Sequence, residues 1–101
     1  MVQAVENLTT IIGTILGLAS HPTLPGYGVV TLRLEQAQPV QGKADLISNQ
    51  LGREMQVTVR SELLGGVRPG ARLQCRARRT PDGAMCEPNP ESGGFAILPP
   101  E

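Results

Sequence analysis

Three stretches of this chain alternate apolar and polar residues with a period of two. In Gly28–Ala37, Val30, Leu32 and Leu34 fall on one side and Thr31, Arg33 and Glu35 on the other. In Arg53–Arg60, Met55, Val57 and Val59 oppose Glu54, Gln56, Thr58 and Arg60. In Ala71–Thr80, Ala71, Leu73, Cys75 and Ala77 oppose Arg72, Gln74, Arg76 and Arg78. A period of two belongs to a strand. One apolar face per strand means that each must back onto a shared core while its other face meets solvent.

The segments between these runs read as turns. The chain holds 12 Gly and 9 Pro in 101 residues, and they sit between apolar stretches rather than in one run. Ser20–Tyr27 is a loop with two prolines and a glycine, and Pro39 and Gly42 end the second strand. Asn49-Gln50-Leu51-Gly52 is a turn signal, with Lys43–Ser48 before it open between a short strand and a single turn. Leu8–Ala19 is rich in β-branched residues and interrupted by Gly13 and Gly17. Helix is disfavoured there. A long strand fits, with each glycine marking a bend or bulge. Ser61–Gly66 is the one place a helical turn fits, capped by Ser61 and stopped by the glycine pair. Thr80-Pro81-Asp82-Gly83 has the composition of a type I turn, with Ala84–Glu87 returning as the partner strand. Phe95–Leu98 is an apolar patch that adds an edge strand or docks on a surface.

A long bent strand, two more strands, a short connector and a hairpin predict an all-β chain: a five-stranded, antiparallel, OB-like β-barrel with at most one short helical turn. An SH3-like barrel is the second choice. The barrel is expected over residues 1–90, with a Pro/Gly-rich acidic tail over 91–101. One Tyr, one Phe and no Trp leave the core to Val, Ile, Leu, Ala and Met. Burial per residue is then small, which favours self-association as a further source of stability.

Within the OB-like group, the segments TIIGTILGLASHPTLPGYGVVTLRLE and GVRPGARLQCRARRTPDG resemble the first two strands and the fourth-strand hairpin of the single-stranded-DNA-binding and primosomal PriB type. The resemblance is architectural and covers roughly residues 8–88. It implies a barrel that binds single-stranded nucleic acid.

The residues themselves argue against catalysis. His21 lies between Ser20 and Pro22 with no nucleophile or carboxylate motif beside it, and reads as a solvated loop histidine. Cys75 and Cys86 are separated by ten residues and joined by no Cys-x-x-Cys spacing, so no metal is expected. A two-residue loop at Pro81-Asp82 would place Cys86 opposite Ala77. A bulge at Gly83 would place it opposite Arg78. The thiols read as small apolar core groups. Gly42-Lys43 is followed by Ala44, so no phosphate-binding loop is present. The chain is expected to be no enzyme and to need no cofactor.

Charge carries the positive signal. The net charge is zero, yet residues 53–79 hold seven Arg against Glu54 and Glu62, and residues 80–101 hold only acids. Arg72, Arg76 and Arg78 share one strand face, Arg79 sits at its end, and Arg53 and Arg60 on the preceding strand extend the patch. Such a face suits a phosphate backbone, and Tyr27 supplies a stacking ring. The competing reading is an interface, in which the barrel pairs with a protein partner or with copies of itself and the acidic tail (Glu87, Glu91, Glu101) meets the arginines. Leu8–Ala19 is too short and polar to span a bilayer, and no basic leader precedes it, so a membrane is not expected and the cytoplasm is.

Overall fold

A computed structural model describes residues 7–81, 83–87 and 94–100. The strands are β1 (Thr9–Ser20), β2 (Tyr27–Pro39), β3 (Glu54–Arg60), β4 (Arg72–Thr80), β5 (Gly83–Cys86) and β6 (Phe95–Leu98). A one-turn helix, α1 (Ser61–Leu64), follows β3, and a 3-10 turn spans Ser48–Gln50. The sheet order is β1-β2-β3-β5-β4-β6, and a β1–β4 pairing closes the first five strands into a barrel. This is the expected all-β, OB-like closed barrel.

Each period-two run buries its expected face. Val30, Leu32, Leu34, Val57, Val59, Leu73, Cys75 and Ala77 are at most 1% exposed. Ile11 and Ile15 of β1 complete the same core. The register of β1 against β2 shifts between Ile12 and Gly13 and again between Ile15 and Gly17, as the two glycines foretold. The bulges let one strand pair with β2 on one edge and with β4 on the other, from Thr9↔Ala77 to Thr14↔Arg72.

Two details differ from expectation, and two readings left open by the sequence are decided. β5 runs parallel to β3 (Val57↔Ala84, Thr58↔Met85), so the barrel is not wholly antiparallel. The reason is connectivity: α1 and β4 form the crossover that a parallel pair requires. Ser61 is the first residue of α1 and makes no capping bond, whereas Gly65, at φ +52, does end the helix. Phe95–Leu98 pairs with β4 antiparallel (Cys75↔Phe95, Arg72↔Leu98) and is therefore part of the sheet. The Glu87 N–H donates to the Arg76 carbonyl (3.1 Å), so β6 takes up the edge of β4 at the residue next to the one Glu87 leaves. Lastly, Lys43–Ser48 forms no strand beyond a bridge of Ala44 to Asn7, and it contributes Ile47, which is 0% exposed and joins the core.

Asp45 holds that loop in place. Its Oδ1 accepts from Thr9 Oγ1 (2.9 Å), from the Ile47 N–H (3.1 Å) and from the Ser48 N–H (3.0 Å), and its Oδ2 accepts from Ser48 Oγ. These bonds, the Ser48 hydroxyl first, lower its pKa to about 2 against partial desolvation. A depressed carboxylate pKa contributes stability that is complete above the usual carboxylate range and is lost as pH falls toward 2. Asp45→Ala is expected to cost about 1–2 kcal/mol at neutral pH. In urea titrations repeated between pH 5 and pH 2, the variant should lose less stability than the parent. An identical pH dependence would show that Asp45 does not anchor the loop.

Candidate functional site

The outer face of β2, β3 and β5 carries a groove of about 320 Å³, bounded by the β1–β2 loop and the β4–β5 turn. His21, Thr23, Val29, Gln56, Thr58 and Thr80 line it. The register explains this assembly. Val29 lies opposite Thr58, Thr58 beside Met85, and Met85 opposite Arg78. One row of outward side chains thus crosses four strands. Arg78 ends that row, with Nη2 3.6 Å from Met85 Sδ. The groove walls are uncharged, and an exposed arginine stands at one border.

The arginines do not form one continuous stripe. Arg72 and Arg76 point outward but are only half-exposed. Arg72 lies between Thr14 of β1 and Leu98 of β6. Arg76 lies between Thr10 of β1 and Glu87, which is drawn up by its backbone bond to Arg76. Arg78 and Arg79 are exposed. Arg79 lines a second recess with Gln50, Glu54, Gln56 and Pro81, next to the groove through their shared Gln56. Arg53 is exposed just before β3, and its carbonyl accepts from the Leu34 N–H (3.0 Å). Arg60 is ion-paired with Glu62 and lies opposite Tyr27, the next outward pair along from Val29 and Thr58. Tyr27 is half-buried there, with Pro25 and Gly26 beside it.

The expected residues therefore separate into three groups. Arg78 and Arg79 border the groove and its neighbouring recess, with Tyr27 and Arg60 the next outward pair along β2 and β3 from Val29 and Thr58; Arg72 and Arg76 stand on the flank shared with β1; and Arg53, just before β3, lines neither recess. Strand alternation reveals which side chains point outward, but not which strand covers them. Of the acidic tail, Glu87 is tied to β4 by its backbone N–H on the Arg76 carbonyl, while Glu91 and Glu101 lie outside the described residues.

Cys86 faces Ala77, the register of a two-residue loop, and both thiols are free and buried. The loop residue Asp82 is outside the described residues. The Cys75 thiol is held well above its ordinary range by its hydrogen bond with Cys86 and by burial. Two buried thiols act as core packing. Among the described residues no three His, Cys, Asp or Glu side chains gather as a metal site would need. No helix among them is long and apolar enough to cross a membrane.

His21 departs most from its sequence reading. It is half-buried, and its Nδ1 accepts from the N–H groups of Thr23 (3.1 Å) and Leu24 (3.0 Å). Short polar side chains at the head of a turn accept amides two and three residues on in the same way. The Ser-His-Pro-Thr sequence carries that signal only faintly, because histidine seldom replaces Asn or Asp in this role.

No protein-family model, no curated protein and no solved structure matches this chain.

Proposed function

We propose that this barrel is a non-catalytic module that binds single-stranded nucleic acid, in the manner of the single-stranded-DNA-binding and PriB type. One observation carries the reading: the groove lies between the β1–β2 loop and the β4–β5 turn, across β2 and β3, the face and loops with which OB barrels hold oligonucleotides. Its floor of Val, Thr and Gln suits bases, and the exposed Arg78 and Arg79 beside it suit phosphates, with Arg53 exposed farther along before β3. Tyr27 offers a ring to a base next along β2 from the groove residue Val29, opposite Arg60. Arg72 and Arg76 add to the field from the flank.

The test is a fluorescence-anisotropy titration of a labelled single strand at low salt. Binding should weaken as salt rises, with the logarithmic slope reduced by about 0.7 for each phosphate contact removed. Arg78→Ala with Arg79→Ala should weaken binding about tenfold. Arg72→Ala with Arg76→Ala should weaken it less. An absence of binding at low salt eliminates the proposal.

A second reading, assembly with a protein partner or with another copy, is favoured by the end of β1. From Gly17 to Ser20 this strand pairs with β2 alone among the described residues, and Leu16 and Leu18 are exposed beside it. An unpaired edge with apolar neighbours is a template for another strand. A monomeric mass by light scattering would exclude the self-assembly form of this reading.

A further inference from the structure

The β1–β2 loop turns on a single ring nitrogen. His21 Nδ1 accepts from the backbone N–H of Thr23 at 3.1 Å and from that of Leu24 at 3.0 Å, and the Thr23 hydroxyl lies 3.4 Å away. A nitrogen that accepts two amides carries no proton of its own. In the neutral ring the proton must then sit on Nε2. Nδ1 is fully engaged by the loop, so Nε2–H is the polar group of this ring left for the groove that His21 helps to line.

The rest of the lining limits what that donor meets. Val29, Gln56, Thr58 and Thr80 place an amide, two hydroxyls and an apolar wall around the space, with no cation among them. A phosphate seated there would lack a counter-charge, whereas an uncharged base edge would find both donors and acceptors. Resting on the nucleic-acid reading above, we infer that His21 is a base-contacting residue: its loop locks it as the Nε2–H tautomer, and that N–H donates to a carbonyl of an unstacked base held in the groove.

Two measurements test this, and the first needs no ligand. Long-range proton–nitrogen NMR of the imidazole at about pH 8, above the ordinary histidine range, should show the proton on Nε2. The Thr23 and Leu24 amides should exchange slowly with solvent. A ring protonated on Nδ1 overturns the inference whatever the protein binds. The second compares a thymine oligonucleotide with one of equal charge carrying abasic positions. The thymine strand should bind more tightly to the parent protein. His21→Asn retains a side-chain acceptor for the two amides but lacks the ring donor. It should keep the amide protection and lose about fivefold in thymine affinity, with little change for the abasic strand. His21→Ala should lose both the protection and the affinity. Equal binding of the two strands by the parent, or thymine binding by His21→Asn at the parental level, overturns the base contact. If neither strand binds at all, the nucleic-acid reading and the base contact fall together, while the NMR result still decides the tautomer.

Discussion

Gly13→Ala should destabilise the barrel by about 3 kcal/mol, the upper range for forcing atoms into a packed interior. A Cβ built at Gly13 comes 2.6 Å from the Arg33 carbonyl oxygen and 2.7 Å from Leu32 Cδ1. The leucine tip can rotate away, but the carbonyl belongs to the β1–β2 ladder and cannot move without breaking the pairing. Gly13 also follows the first register shift, where β1 bends to reach both of its neighbours. The substitution therefore strains the closure of the barrel rather than one local contact. Domains of this size have about 5–15 kcal/mol in total, so the loss should lower the melting temperature by roughly 15 °C. Gly66→Ala serves as the control. A Cβ there meets nothing within 4 Å, and the change should stay within about 0.5 kcal/mol of the parent. Equal melting temperatures for the Gly13 variant and the parent would show that the bulge does not govern closure.

Gly83→Ala should cost about 2–3 kcal/mol through two separate effects. Gly83 has φ +142, a conformation that residues with a Cβ rarely adopt. Its Cβ would also fall 2.6 Å from the Gln56 carbonyl oxygen. That oxygen is on β3, and Gly83 begins the strand that joins β3 to β4, so relieving the clash pries apart the parallel β3–β5 pair. Gln56 also lines the groove. The variant should thus bind an oligonucleotide more weakly even at temperatures where it stays folded, and Gly13→Ala should not. Thermal melts and anisotropy titrations on both variants separate the two effects. Parental affinity in folded Gly83→Ala would detach this turn from the site.

How much of this was legible in the sequence follows from what each residue reports. Alternation exposes the core face of a strand directly, because a polar side chain cannot be buried there without a partner. Leu32, Val57 and Leu73 were readable for that reason. Gly13 and Gly17 were readable as bends because little else explains glycine in a β-branched run. The order of the strands was readable only as a resemblance, since no local signal states that β5 will lie parallel to β3. The site was harder. Its groove joins His21, Thr58 and Thr80, residues from three separate segments that meet only once the barrel closes. Arg72 and Arg76 looked equivalent to Arg78, because a strand pattern records facing and is silent about the neighbour that covers a side chain. Asp45 was a missed anchor, although an Asp two residues before an apolar residue and three before a Ser is an accessible turn signal.

The central claim is that single-stranded nucleic acid lies on the β2–β3–β5 face. Backbone amide shifts recorded while a short single strand is added at low salt test it most directly. The expected perturbations cluster at Thr23, Tyr27, Val29, Thr58, Arg60, Arg78 and Met85. Shifts confined to Gly17–Ser20, or no shifts at any residue, would contradict it.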